Sequence, residues 1–154
     1  MTGLIRITHP MNLTWRYGTS WYFAEFMRAL RDERRLLGLR CPTCRRVYLP
    51  PRPVCGNCRV ELSEWREVQD TGTVVAFTIV HLPILDPTTG DPRPTPQALA
   101  LIQLDGADTT VNHFLAERDP AKLKIGLPVR AVWRQERTGT LADIVHFVTM
   151  NHEQ

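Results

Sequence analysis

Four cysteines fall in two tight pairs, Cys41-Pro42-Thr43-Cys44 and Cys55-Gly56-Asn57-Cys58, with ten residues between the pairs. Two residues between cysteines let one tight turn aim both sulfurs at a single point, and two such turns complete a tetrahedron of thiolates. Thiolate softness excludes magnesium and calcium and leaves zinc or iron. Zinc is the expected ion, because the neighbouring arginines and the missing second glycine pattern do not favour a rubredoxin-type electron-transfer centre. With four protein ligands no coordination position stays open, so Cys41, Cys44, Cys55 and Cys58 should hold a structural ion. A module of about 20 residues cannot build its own core, so metal binding should fold it. Glycine often follows the second cysteine of such a pair to accept a left-handed backbone. Here Arg45 and Arg59 stand in those places, which leaves the turn geometry open.

The second chemical feature is positive charge. From Arg28 to Arg59 there are nine arginines against Asp32 and Glu33, while the whole chain carries only +3. Arg28, Arg31, Arg34 and Arg35 belong to one segment, and Arg45, Arg46, Arg52 and Arg59 to the cysteine module. A solvated face is the ordinary meaning of such a run. An anion site is the sharper one, since guanidinium forks match phosphate geometry. Single-stranded nucleic acid is a third, with Trp15, Tyr17, Tyr22 or Tyr48 stacking bases. It ranks lower, because the later strands lack interleaved basic and aromatic residues. His81, His113, His146 and His152 are each possible bases, but a lone histidine in a strand is more often packed or solvated. Ser20 and Ser63 have no nucleophile elbow or oxyanion glycines around them. With the cysteines committed to metal, an autonomous enzyme is not expected.

The elements that must position these groups can be read from patterning. Residues 1–18 have no clear period and suggest an extended arm. Phe23, Phe26, Met27, Leu30 and Leu37 recur at helical spacing, predicting a helix from Ser20 to Leu37, capped by Thr19 or Ser20 and ended by Gly38. Its aromatic excess (Trp21, Tyr22, Phe23, Phe26) suits either a core or a subunit interface. After the cysteine module come strand patterns at 64–68, 73–81, 97–104, 109–116, 129–135 and 141–149. The proline-rich stretch 82–96 reads as a long surface loop, a candidate flap over a partner's active site. The fold class is mainly β with an N-terminal helix. Its expected parts are an arm and amphipathic helix (1–38), a ribbon (39–62) and a small five-stranded barrel (63–154). No stretch approaches the roughly 20 apolar residues of a membrane span, and a cytoplasmic setting is expected.

In order along the chain, an aromatic helix precedes Arg40-Cys41-Pro42-Thr43-Cys44, Tyr48-Leu49-Pro50-Pro51-Arg52 and Cys55-Gly56-Asn57-Cys58. Trp65, the run from Gly72 to Val80 and Ile125-Gly126-Leu127-Pro128-Val129 follow. This combination resembles the "domain of unknown function 35" family, acyl-CoA-associated OB-fold proteins with a rubredoxin-like zinc ribbon. The resemblance implies a non-catalytic accessory subunit of a thiolase-like enzyme, with a structural zinc and a CoA thioester as shared ligand. A hotdog-fold enoyl-CoA hydratase is the alternative partner. It further makes Arg28, Arg45, Arg46 and Arg52 candidates for contact with CoA phosphates. The arm before Thr19 is less typical of the family.

Overall fold

The computed structural model describes residues 18–86 and 90–150. The expected N-terminal arm up to Tyr17, and His152, lie outside the described residues. The first element is helix α1, Trp21–Arg28, whose opening turn is tied by the Ser20 carbonyl accepting from Phe23 and Ala24 N–H. Ser20 occupies the capping position with an extended backbone, but its side chain makes no cap bond. A wide π turn, Ala29–Glu33, continues the helix and buries Ala29 and Leu30. It stops at Arg34, which takes a left-handed φ of 56° and donates its N–H to the Ala29 carbonyl.

The helix therefore does not run to Leu37, and Gly38 does not end it. Leu36–Arg40 is strand β1, with Leu36 through Leu39 all buried. A strand covered on both faces gives a continuous apolar run, which periodicity cannot separate from a buried helical turn. Gly38 is needed for close packing: a Cβ there would lie 2.7 Å from Val47 Cγ1 and 3.1 Å from the Tyr48 carbonyl oxygen. Overpacking of this kind predicts that Gly38→Ala costs about 1–3 kcal/mol. Urea unfolding of the two proteins measures it; an unchanged midpoint would mean that the strands yield freely.

β1 pairs antiparallel with β2 (Val47–Tyr48) on one side and β3 (Glu64–Val68) on the other. β1 thus spans the expected boundary at 38/39, and β3 lies on the ribbon's sheet. The barrel strands are β4 (Thr71–Val80), β5 (Gln97–Leu104), β6 (Thr110–Leu115), β7 (Pro128–Trp133) and β8 (Ile144–Thr149). They close in the order β4-β5-β6-β8-β7, with every pairing antiparallel except β6 to β8. This is the five-stranded Greek-key barrel of the OB-fold, as the sequence led one to expect. Alternation along β5 shows why it closes: Ala98, Ala100, Ile102 and Leu104 are buried, while Leu101 and Gln103 face out. Residues 141–143, expected as strand, form instead a short 3-10 turn before β8.

One apolar core joins the parts, with Phe26, Leu30, Leu36 and Leu37 in the same cluster as Val74, Ile102 and Phe147. Polar bonds fasten the ribbon to the barrel. Val47 N–H donates to Asp108 Oδ2 at 2.8 Å, and Asp108 N–H returns to the Val47 carbonyl at 2.9 Å. The Thr109 hydroxyl accepts from Leu49 N–H at 2.8 Å and donates to the Leu49 carbonyl at 2.7 Å. The proline-rich stretch is less irregular than expected. Leu85 and Pro92 form a β-bridge, and Arg93 N–H reaches the Ile84 carbonyl at 2.8 Å, so the β4–β5 hairpin extends into it. Among the described residues no helix is long and apolar enough to cross a membrane.

Candidate metal centre

Each cysteine pair sits in the same knuckle. In the first, Cys41 N–H donates to the Arg46 carbonyl at 2.8 Å and Arg45 N–H to the Cys41 carbonyl at 3.0 Å. In the second, Cys55 N–H donates to the Val60 carbonyl and Arg59 N–H to the Cys55 carbonyl, both at 2.9 Å. Cys44 N–H points to Cys41 Sγ at 3.4 Å, and Cys58 N–H to Cys55 Sγ at 3.3 Å. The positions left open by the missing glycines are resolved: Arg45 and Arg59 themselves take left-handed φ values of 63° and 58°. For a residue with a Cβ this conformation costs roughly 1–2 kcal/mol, so each knuckle is held against its local preference.

The four Sγ atoms lie within 4.8 Å of one another, and Cys44 Sγ is 3.7 Å from Cys55 Sγ. A tetrahedron with metal–sulfur bonds of about 2.3 Å has edges of about 3.8 Å, so the donor set fits zinc. Cys41 and Cys55 are fully buried against Leu39, Tyr48 and Leu62, while Cys44 and Cys58 are partly exposed. The Tyr48 hydroxyl lies 3.2 Å from Cys55 Sγ. Its hydrogen bond, with the Cys58 N–H bond, draws the Cys55 thiol down to about 6. Hydrogen bonding with Cys44 and burial push the Cys58 thiol up to about 12. Four sulfurs this close cannot all ionise unaided; a bound cation removes that conflict and lets each act as thiolate. Tyr48 was read from sequence only as an aromatic, and no spacing rule marks its contact with Cys55.

The arginines divide into two sets. Arg28 is held by Glu25 at 2.7 Å and Glu33 at 2.9 Å, and the bonds to Glu25 and then Glu33 raise its pKa further. Arg31 pairs with Asp32, Arg34 with Asp70, and Arg35 with Glu33 and Glu67. Arg45, Arg46 and Arg52 are exposed and have no carboxylate partner among the described residues, and Arg52 lies 5.8 Å from the centroid of the Tyr48 ring. The helix thus carries neutralised charge and the ribbon carries the free charge.

Of the histidines, His81 is exposed and His113 is half-buried. His113 Nδ1 accepts from Phe114 N–H at 2.9 Å, which leaves Nε2 to face the Leu141 carbonyl at 3.4 Å. Burial lowers its pKa, so the ring is neutral and packed, with its edge against Phe147.

These features have known counterparts. Residues 28–63 match the ChsH2 rubredoxin-like zinc ribbon domain, and residues 65–134 match the ChsH2 C-terminal OB-fold domain. A DUF35 domain-containing scaffold protein of Methanocaldococcus jannaschii is 31% identical over 110 residues, 70% of this chain and 74% of that protein. A probable enoyl-CoA hydratase alpha subunit of Thermomonospora curvata is 30% identical over 104 residues, 66% of this chain but only 30% of that longer protein. Among solved structures, the Ltp2-ChsH2(DUF35) aldolase aligns with a TM-score of 0.60 at 27% identity, covering 87% of this chain and 97% of that one. A DUF35 protein of unknown function from Sulfolobus solfataricus shares the fold at a TM-score of 0.60 and 19% identity, over 85% of each chain. Zinc-ribbon spacing, barrel order and both domain matches agree, and the chain belongs to the DUF35 family of ChsH2-like proteins.

Proposed function

We propose that this chain is a non-catalytic accessory subunit of a thiolase-type complex that forms or cleaves C–C bonds in acyl-CoA substrates. The observation that carries this reading is its match, over most of both chains, to a scaffold protein and to a chain of an aldolase assembly. The chemistry of the chain agrees with it. All four cysteines converge on one metal site, and His113 is a neutral, packed ring. Meanwhile Leu82, Leu85, Ile125 and Trp21 are 76%, 61%, 70% and 57% exposed, which suits docking better than solvent. In this reading Cys41, Cys44, Cys55 and Cys58 hold a structural zinc that keeps the ribbon in shape. Arg45, Arg46 and Arg52 face the CoA phosphates; Arg28 would first have to release Glu25 and Glu33. The partner's large subunit supplies the nucleophile, and the complex works in a reducing cytoplasm, where thiolates persist. The resemblance to a hydratase alpha subunit favours a second reading, in which the partner is an enoyl-CoA hydratase.

Purifying the tagged full chain from its own cell tests this. A CoA-dependent enzyme should co-elute in fixed ratio, and Leu85→Glu should reduce its recovery severalfold with the zinc content unchanged. Elution of the wild-type chain alone would overturn the subunit reading, and activity of the co-eluted enzyme on β-ketoacyl-CoA or enoyl-CoA separates the two partners.

A further inference from the structure

The barrel closes at one weak seam. β6 and β8 meet through a single parallel pair, Leu115 with Phe147, and the strands part on either side of it. Two hollows of about 320 and 280 Å³ lie along this seam and share Arg93, Phe114 and Val145 in their linings. Arg134 lines the first, and Arg118 and His146 line the second. Among the described residues Asp86 is the one carboxylate in either lining, and Arg93 pairs with it at 2.8 Å. Arg93 is further fixed over the Phe114 ring, 4.6 Å from its centroid. Arg118 and Arg134 have no carboxylate partner among the described residues, so the groove carries uncompensated positive charge against apolar walls.

A second observation points the same way. Gln97 lines the smaller hollow and is 8% exposed, and its Oε1, itself shielded from solvent, has no hydrogen-bond partner within the protein, alone among the buried side-chain nitrogen and oxygen atoms of the described residues. An unpaired buried carbonyl is costly, and such groups call for a partner. The partner must donate a hydrogen, and it must enter a hollow whose other polar groups favour an anion.

We propose that the seam groove binds a small organic phosphate that also carries an N–H donor. The phosphate engages Arg118 and shares the Arg93 fork with Asp86, Gln97 turns into the hollow so that its Oε1 meets the N–H, and the apolar walls of Phe114 and Val145 enclose the part between. This chemistry occurs both in a nucleotide with an amino-bearing base and in phosphorylated pantetheine with its amides. The site is separate from the ribbon arginines. Pantetheine held here would mark a second site, apart from the one the CoA reading uses, and the measurement needs no partner enzyme, so the two proposals fail independently.

The test titrates the zinc-loaded full chain with AMP, 4′-phosphopantetheine, inorganic pyrophosphate and an eight-residue oligothymidylate, following by NMR the Gln97 side-chain amide and, in every variant, the backbone amides of Phe114 and Val145, which line the same hollow. AMP or phosphopantetheine should bind and move those signals, and whichever is tighter identifies the source. Arg118→Gln should weaken every phosphate. Gln97→Met should weaken the N–H-bearing ligand about tenfold and leave pyrophosphate unchanged. It should also leave the melting temperature equal or higher, since it removes an unsatisfied buried group. The proposal is overturned if neither organic phosphate binds at millimolar concentration, or if the oligonucleotide binds more tightly than both. It is equally overturned if Gln97→Met lowers the melting temperature by several degrees or weakens all ligands alike, because Gln97 would then serve the fold.

Discussion

Removing the metal, by chelation or by Cys44→Ser, unfolds the ribbon between β1 and β3 while the barrel strands remain paired. The ribbon's own cluster is Leu39, Cys41, Tyr48, Cys55 and Leu62, too few apolar residues to offset the ordering of about twenty residues at roughly 1–2 kcal/mol each. Structural zinc sites supply apparent binding free energies of about 10–16 kcal/mol at neutral pH, which is the scale of the deficit. The left-handed Arg45 and Arg59 add local cost that only the closed knuckle compensates. The barrel differs, because Val74, Ile102, Val129 and Phe147 are buried independently of the metal. Hydrogen exchange reads the outcome directly. The amides of Cys41, Arg45, Cys55, Arg59 and Leu62 should lose protection on chelation, and those of β5 should keep it. Metal analysis should give one zinc per wild-type chain with no iron–thiolate colour. Protected knuckle amides in a metal-free chain would refute the structural role, and an iron spectrum would refute the choice of ion.

The ligand set was legible from sequence because its information is local: two turns, each fixed by residues five apart at most. The barrel was legible for a similar reason, as β5 alternates and its turn residues, Asp105 and Gly106, are conventional. What failed was the segment from Leu36 to Leu39. Its helical reading rested on Leu37 completing a spacing set by Phe26 and Leu30, but the segment pairs with β2 and β3, and Leu36 and Leu37 join a core of barrel residues, all of which come from later in the chain. Nothing near Arg34 announces a left-handed terminator, because an arginine there is supported by tertiary packing and not by its own preference. The apparent cationic helix face failed likewise. Glu67 and Asp70, which neutralise Arg35 and Arg34, stand more than thirty residues away in sequence. The seam groove was invisible because Arg93, Gln97, Arg118 and His146 converge only once the barrel has closed.

Asp143→Ala should be as damaging as the loss of a large core side chain of the barrel. The residue is fully buried, and its carboxylate accepts N–H bonds from Thr138 and Gly139 at 2.8 Å and from Thr140 at 3.2 Å, plus the Thr138 hydroxyl at 3.1 Å. These bonds shape the β7–β8 loop, which in turn braces the helix. Arg137 Nε donates to the Arg31 carbonyl at 2.9 Å, and Gly139, at φ 81°, sits so close that a Cβ would lie 3.2 Å from the Met27 carbonyl oxygen. Truncation leaves three backbone donors and a hydroxyl without their acceptor, at a cost of about 3–5 kcal/mol in urea unfolding at pH 7. Asp143→Asn keeps the shape and one acceptor oxygen but loses the charge, and should fall between wild type and alanine. The pH dependence separates charge from shape. Burial alone would raise the Asp143 pKa, but the bonds from Thr138, Gly139 and Thr140 outweigh it and hold the carboxyl below its ordinary value. A depressed pKa contributes stability fully above the unfolded value, near about 3.9, and that contribution is lost as pH falls through the folded value. The stability gap between wild type and Asp143→Asn should therefore be constant from pH 5 to 8 and shrink below about pH 4. Acid also protonates the cysteine thiolates and releases zinc, but both proteins share that loss, so it cancels from the gap. A gap that stays constant down to pH 2 would show that Asp143 acts by shape alone and that its charge contributes nothing to the loop.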